Sequence, residues 1–241
     1  MTTCLLCDRQ ISLIDAHFFP RSWYNDTGET KLLSKNIQFS KRLRNGLYSN
    51  KIICGECDNA FGNYERNMAN ATNKFHLKTA SVIDMDGFKF KKINVAECDL
   101  YFSILFLLWK FSATAFTPEN YINIGPHFTV LKEILLNKNL NLAKSRFSII
   151  ICYYSDMPTD GDIFSVPMKV RYNGSYSDFN SIVIQVKSCQ IIIKVDSRPI
   201  PAPFDKLTEF TTKGQFLPTS FFKTGMFDNV KRIMKHCPWK R

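Results

Sequence analysis

Four cysteines near the start of the chain have the type and spacing of zinc ligands. Cys4 and Cys7 form one Cys-x2-Cys pair, and Cys54 and Cys57 form a second one. Each such turn places two thiolates on one side of a tetrahedral metal ion, so two turns complete its coordination shell. Because no coordination position stays open, we expect a structural zinc ion that holds both ends of the intervening loop.

The alternatives to zinc are two disulfide bonds or four buried thiols. The leader Met1-Thr-Thr3 has neither a basic region nor a long apolar run, so we expect no secretory signal and a cytoplasmic protein. Thiols stay reduced in the cytoplasm, and the metal site is therefore favoured over disulfides.

Three further side chains of this region are suited to acid–base and metal chemistry. His17 lies inside the loop between the cysteine pairs, and Asp58 and Glu65 follow the second pair. A histidine can take a proton from water. The two acidic residues lie seven positions apart, so they share one face of a predicted helix. Two carboxylates there offer hard oxygen ligands to Mg²⁺ or Mn²⁺.

Each of these residues also has a purely structural interpretation. Asp58 can stabilise a helix N-terminus electrostatically. Glu65 can form an ion pair with Arg21 or Arg66, and His17 can be a hydrogen-bonded polar group of a zinc finger. The residue types alone leave both interpretations open.

The balance of charge predicts an anionic partner. The 241 residues carry a formal net charge of +11, and nucleic acid is the first candidate for such a chain. Residues 31–51 contain no acidic residue and several basic ones, namely Lys31, Lys35, Lys41, Arg42, Arg44 and Lys51. We expect Lys41, Arg42 and Arg44 to contact phosphates. The alternative is that this segment is only a solvated basic surface.

The apolar residues predict a hydrophobic core and no membrane partner. They make up 45% of the chain, which is ample for one large domain or two small ones. The most apolar run, Leu100–Trp109, is about ten residues long, whereas a membrane helix needs about twenty. We therefore expect this run to be a buried helix or strand.

The order of predicted elements indicates two parts, residues 1–78 and residues 79–241. In the first part, short extended segments around Ile11–Ile14 and Ile52–Ile53 precede a helix that starts at Cys57. The helix is predicted from apolar residues at three- and four-residue spacing, namely Phe61, Tyr64 and Met68. A hairpin and two cysteine turns, the second opening into a helix, are the layout of a treble-clef or ββα-metal zinc module.

The second part, of unknown role, changes from helical to strand periodicity. Helices are predicted within about 95–136, as Val95–Phe116 and Phe128–Leu136, and strands within about 147–195. The predicted strands are Phe147–Tyr154, Phe164–Tyr172, Ser181–Val186 and Gln190–Val195. Asp86-Gly87 marks a hairpin turn, and Phe221–Met234 is a candidate basic C-terminal helix. The fold class is therefore α+β, with an antiparallel sheet after the zinc module.

The motifs of the first part resemble the HNH-type zinc-finger endonucleases. The matching segments are the two cysteine pairs, the phrase Ala16-His-Phe-Phe-Pro20, the stretch Lys41-Arg-Leu-Arg-Asn-Gly46, and Cys57-Asp-x-x-Phe-Gly-x-Tyr-Glu65. They are most similar to a bacterial branch that reads Ser-His-Ile-Ile-Pro, then Leu-Cys-x2-Cys-Glu, then Tyr-Glu. Leu107-Leu-Trp-Lys-Phe-Ser112 resembles a Leu-Trp-Arg-x-Ser segment of that branch, so the similarity extends to about residue 136.

The resemblance implies a metal-dependent endonuclease that cuts DNA or RNA, in antiphage defence or in a mobile element. His17 is then the general base, Asp58 and Glu65 hold a catalytic Mg²⁺ or Mn²⁺, and the zinc is structural. The expected partners are nucleic acid and a protein such as an ATPase of a defence complex. The alternative is a catalytically degenerate zinc finger that binds nucleic acid or assembles a complex.

One position departs from the family pattern. The residue before the general-base histidine is usually Asp, Glu or His and binds the catalytic metal, but here it is Ala16. The loss of one carboxylate ligand predicts weaker binding of Mg²⁺.

Overall fold

The structure is a computed structural model of the chain. It describes residues 2–24, 30–33, 41–42, 47–48, 51–73, 81–85, 88–114, 122–154, 162–165, 167–173, 178–200 and 204–219. The helices of this part are α1 (Gly55–Asn73), α2 (Glu97–Ala113), α3 (His127–Asn137), α4 (Leu140–Arg146) and α5 (Phe204–Thr212). The strands are β1 (Leu13–Ile14), β2 (Thr30–Leu33), β3 (Lys41–Arg42), β4 (Ile53–Cys54), β5 (Ser81–Met85), β6 (Phe88–Lys92), β7 (Ile149–Tyr154), β8 (Asp162–Ser165), β9 (Met168–Asn173), β10 (Asp178–Val186), β11 (Cys189–Lys194) and β12 (Gln215–Thr219). The expected α+β class is confirmed.

The N-terminal region is a small hairpin followed by a helix. Strand β1 pairs antiparallel with β4, with Leu13 opposite Cys54. Helix α1 starts at Gly55, inside the second cysteine pair, and its first turn carries Glu56 and Asp58. Acidic side chains favour this end of a helix because the unpaired backbone N–H groups carry partial positive charge. The hairpin thus delivers Cys54 and Cys57 to the start of α1.

Helix α2 forms the centre of the core. Its residues 100–112 are all buried, so the apolar run is a buried helix, as one of the two expectations stated. The Phe61 ring of α1 stacks on Phe106 of α2 at 4.4 Å, and the Phe18 ring stacks on Phe111 at 4.5 Å. One hydrophobic cluster therefore includes residues from both sides of position 78, and the division into 1–78 and 79–241 stays a prediction.

Ten strands form one mixed sheet. Nine of them follow the order β3-β2-β8-β10-β11-β7-β12-β6-β5. The tenth, β9, lies outside this order and also pairs with β10. Strand β10 pairs antiparallel with β9 and with β11, and β11 pairs antiparallel with β7, as the sequence predicts. Two pairings are parallel, β2 with β8 and β12 with β7, and no pattern in the sequence predicted them.

Several elements differ from the predicted ones in extent or were not predicted. The segment predicted as one strand, Phe164–Tyr172, is two strands, β8 and β9. Helices α4 and α5 and strand β12 had no prediction. Strands β5 and β6 pair on both sides of Asp86-Gly87, as a hairpin requires, but this turn and the predicted helix Phe221–Met234 lie outside the described residues.

None of the helices within the described ranges has the length and apolar character needed to cross a membrane.

Candidate functional site

The four cysteines of the two pairs meet at one point. Their Sγ atoms all lie within 4.8 Å of one another, and the Sγ atoms of Cys7 and Cys54 are 4.0 Å apart. With zinc–sulfur bonds of about 2.3 Å, the sulfur atoms of a tetrahedral site lie roughly 3.8 Å apart. The donor set and its spacing therefore fit a structural zinc ion that Cys4, Cys7, Cys54 and Cys57 would hold.

Backbone hydrogen bonds fix the first cysteine turn. The Asp8 N–H donates to the Cys4 carbonyl at 2.8 Å, and Asp8 adopts a left-handed conformation with φ of 59°. The Cys54 N–H donates to the Cys4 Sγ at 3.4 Å, which links the two turns. The Asp8 carboxylate accepts a 2.6 Å hydrogen bond from Lys132 of α3 and so connects the turn to the helical layer.

Arg9 compensates part of the negative charge of a zinc–thiolate centre. Its Nε–H donates to the Cys7 Sγ at 3.3 Å, and its Nη2 donates to Glu56 at 2.6 Å. Burial raises the pKa of Cys7, but hydrogen bonds led by the one from Arg9 outweigh it and lower the pKa to about 6. Burial is also the main reason why the pKa values of Cys4 and Cys57 are raised. Zinc binding must then release protons, so its affinity depends on pH.

A pocket of about 240 Å³ opens beside the zinc module. Three segments supply its walls: residues 17–22 after β1, residues 58–66 of α1, and one residue of α2. The lining residues are His17, Pro20, Arg21, Ser22, Asp58, Gly62, Glu65, Arg66 and Lys110. The structure thus brings together the predicted general base and both predicted carboxylate ligands, from positions far apart in the sequence.

Lys110 lies between the two carboxylates of the pocket. Its Nζ donates to Glu65 Oε1 at 2.8 Å and to the backbone carbonyl of His17 at 2.8 Å. Asp58 Oδ1 lies 4.0 Å from the same nitrogen, and the Phe106 ring centroid lies 4.2 Å from it. Lys110 is 1% exposed and Glu65 is 8% exposed, so this ion pair is shielded from water.

The buried ion pair answers one of the alternatives left open by the sequence. Glu65 pairs with Lys110 rather than with Arg21 or Arg66. Burial raises the pKa of the Glu65 carboxyl, and the Lys110 ammonium acts in the opposite direction. Within the part of the chain that the structure describes, the exposed side chains of Arg21 and Arg66 have no carboxylate within salt-bridge distance. Two guanidinium groups at the pocket are therefore available to an anionic ligand.

Aromatic rings hold the His17 side chain. The Tyr48 ring centroid is 4.1 Å from that of His17, and the Tyr24 ring centroid is 6.3 Å away. His17 and Tyr48 also form a backbone bridge. The Tyr24 hydroxyl accepts a hydrogen bond from the Leu47 N–H at 3.1 Å, which ties the two flanking segments together. The imidazole is half-buried at the pocket wall and packed on one side.

The pocket as it stands does not fit a divalent cation. Mg²⁺ requires near-octahedral oxygen ligands at about 2.1 Å, and Mn²⁺ likewise prefers oxygen donors. Here the ammonium of Lys110 already occupies the space between Asp58 and Glu65. Across the described residues, the four cysteines form the only group of three or more Cys, His, Asp or Glu donors that are close enough to share an ion. The expected Mg²⁺ or Mn²⁺ site therefore has no support in this geometry.

The remaining predicted residues are placed as follows. Lys41 and Arg42 form β3, which pairs with β2 at the edge of the large sheet, and Arg44 lies outside the described residues. Ala16 is 2% exposed within the core and is not among the residues that line the pocket. The contacts of Lys41, Arg42 and Arg44 with phosphate stay predictions.

Lys110 lines the pocket, although its sequence position predicted no role in the site. It is the only charged residue between Leu100 and Ser112, inside a helix with every position from 100 to 112 buried. A single ammonium in such a run must find buried partners, because an unpaired buried charge is very unfavourable. That signal was available, although the sequence does not say which partners it meets.

Comparison of the chain with models of protein families, with curated proteins and with solved structures finds no match. The resemblance to HNH-type endonucleases therefore rests on the sequence motifs alone.

Proposed function

We propose that this protein is an HNH-like endonuclease that hydrolyses phosphodiester bonds of DNA or RNA at the pocket beside the zinc module. The observation that carries the proposal is the convergence of His17, Arg21, Arg66 and Lys110 on one pocket next to the cysteine cluster. A histidine beside two exposed guanidinium groups suits the attack of water on a phosphate diester.

Each group has a role that its position supports. His17 takes a proton from a water molecule as the water oxygen bonds to phosphorus. The bond from phosphorus to the leaving sugar oxygen breaks, and that oxygen takes a proton from solvent. Arg21 and Arg66 bind the phosphate oxygens and stabilise the charge that develops on them. The products are a phosphate monoester and an alcohol, and the zinc ion takes no part beyond holding the fold.

The test is cleavage by the zinc-loaded protein of plasmid DNA, single-stranded DNA and RNA, each with and without Mg²⁺ or Mn²⁺. His17→Gln should reduce the rate by about 10²–10⁴-fold, since it removes one general base. His127→Gln is the matched control, because this half-buried histidine lies at the start of α3 and does not line the pocket. Equal loss in both variants would contradict the role of His17.

The same cleavage assays, combined with binding assays, test the alternative that the protein is a catalytically degenerate zinc finger. If the wild type binds nucleic acid but cuts none under any condition, the protein is a binding or assembly module. A role in antiphage defence, a mobile element or a complex with an ATPase stays part of the proposal, and isolation of the protein with its partners from its host tests it.

The salt dependence of affinity tests whether the basic residues around β3 bind nucleic acid. If Lys41, Arg42 and Arg44 all contact phosphates, their combined replacement by Ala should flatten the plot of log affinity against log salt by about 0.7–0.9 per lost contact. The control removes three exposed lysines elsewhere, with the same change of charge: Lys92, Lys169 and Lys213. Equal slopes for the two triple variants would show that only net charge matters.

A further inference from the structure

One ammonium group of the pocket lies among the oxygen atoms that a divalent cation would need as ligands. Lys110 reaches from α2 across to α1 and places its Nζ 2.8 Å from Glu65 Oε1, 4.0 Å from Asp58 Oδ1 and 2.8 Å from the His17 carbonyl. Two carboxylates and a backbone carbonyl are the oxygen donors that a metal ion would use. Here they surround a covalently attached cation instead.

A divalent cation and this ammonium cannot share the site. A metal ion bound by Asp58 and Glu65 would lie within a few ångströms of the Lys110 Nζ, where repulsion between like charges is strong because the ammonium is buried. Lys110 is 1% exposed, and its Nζ lies 4.2 Å from the Phe106 ring centroid. Displacing it would leave a buried ammonium without its partners.

We propose that the Lys110 ammonium takes the place of the divalent cation, so that Asp58 and Glu65 are its counter-ions and the pocket acts on phosphate diesters without Mg²⁺ or Mn²⁺. The proposal rests on the proposed function. Lys110 is a positioning residue: it neutralises the two carboxylates that would repel a phosphate, and it holds the His17 backbone. Arg21 and Arg66, which also line the pocket, then supply the positive charge that contacts the anion.

The first experiment measures binding of Mn²⁺ to the intact, zinc-loaded protein by electron paramagnetic resonance and requires no activity. We expect no Mn²⁺ binding by the wild type at millimolar concentration. Lys110→Met frees both carboxylates and should create a site with a dissociation constant of about 10⁻⁴–10⁻³ M, as for sites with few charged ligands. The double variant Lys110→Met/Glu65→Gln should lose that site again. Lys110→Arg keeps the cation and should bind no Mn²⁺.

The wild type and Glu65→Gln decide the matter even if the Lys110 variants do not fold. One Mn²⁺ bound by the wild type with submillimolar affinity, and lost in Glu65→Gln, would overturn the proposal.

The second experiment compares cleavage with and without added Mg²⁺ or Mn²⁺ in buffer stripped of divalent ions by a resin. One zinc per chain must be retained, as verified by elemental analysis, so a soluble chelator is avoided. We expect rates that differ by less than about tenfold with and without the added ions, because a resident cation leaves little for them to stabilise. Cleavage that requires the added ion would overturn the role of Lys110 while leaving the nuclease proposal intact. No cleavage under any condition, together with the expected Mn²⁺ result, would remove the nuclease proposal and leave Lys110 as the resident cation.

Discussion

Substitutions of Gly62 can test the stability of helix α1 and the access of a ligand to the pocket independently. Gly62 lies on α1 between Asp58 and Glu65 and lines the pocket wall. A Cβ atom built at Gly62 meets no heavy atom within 4 Å. Glycine inside a helix costs about 0.8–1.0 kcal/mol relative to alanine. Gly62→Ala should therefore stabilise the protein by about 1 kcal/mol, and for a chain of this size the melting temperature should rise by about 2–4 °C.

A larger residue at the same position should block the pocket without disturbing the helix. Leucine has nearly the helix propensity of alanine, so Gly62→Leu keeps most of the gain in stability. Its side chain extends into the space where a phosphate would bind, and cleavage or nucleic-acid affinity should fall at least tenfold. Ala60→Leu adds comparable bulk to an exposed position of α1 outside the pocket and should leave both unchanged.

Thermal unfolding followed by circular dichroism, with zinc present, measures the first effect, and cleavage or binding assays measure the second. A lower melting temperature for Gly62→Ala would show that the space around Gly62 is not open. A stable Gly62→Leu variant with the activity of the wild type would refute the assignment of this pocket as the site.

Three further perturbations test the zinc centre, the core and the sheet. Cys54→Ser should lose zinc and unfold the N-terminal region, since zinc contributes about 10–16 kcal/mol of apparent binding free energy in small fingers; Cys98→Ser should keep one zinc per chain by elemental analysis. Ala16→Asp should destabilise the protein by about 3 kcal/mol or more in urea unfolding, because Ala16 is 2% exposed and the new carboxylate would be buried in an apolar core. Equal stability together with a new Mn²⁺ requirement for cleavage would show that this side chain faces the pocket. Burial opposes ionisation of Asp196, but hydrogen bonds led by that from the Asn180 N–H outweigh it and hold the pKa of this carboxyl below its usual range. The ionised Asp196 carboxylate thus stabilises the folded protein above about pH 4, and this stabilisation is lost as the pH falls. Asp196→Asn should therefore flatten the acid limb of a plot of unfolding free energy against pH. An unchanged limb would contradict this.

The parts of the fold that could be predicted depend on local patterns. The cysteine spacing predicted that the four cysteines meet at one point, and the three- and four-residue spacing of Phe61, Tyr64 and Met68 predicted α1. The β-branched residues of β7, β10 and β11 predicted an antiparallel sheet. In each case the signal lies within a few residues of the element that it predicts.

The parts that could not be predicted depend on contacts between distant residues. Strand β12 inserts between β6 and β7, which precede it by more than sixty residues, and no local pattern specifies those neighbours. Lys110 meets Glu65 and the His17 carbonyl across 45 and 93 positions of sequence. The sequence showed which carboxylates share a helix face, but only the packing of α2 on α1 shows which cation faces them.

The energetics of the Lys110–Glu65 pair argue that it is retained for the site rather than for stability. Removing one partner leaves an uncompensated buried charge, so Lys110→Met alone should destabilise the protein by about 3–5 kcal/mol. Replacing both partners with apolar residues of similar volume is often neutral or stabilising by about 1–4 kcal/mol, because neither charge must then leave water. We therefore expect Lys110→Met/Glu65→Leu to be at least as stable as the wild type in urea unfolding but to lose cleavage, since the variant lacks the Lys110 hydrogen bond to the His17 carbonyl. A double variant that is stable and fully active would show that the pair has no part in the chemistry, and a double variant as unstable as the single one would show that its role is to hold α1 against α2.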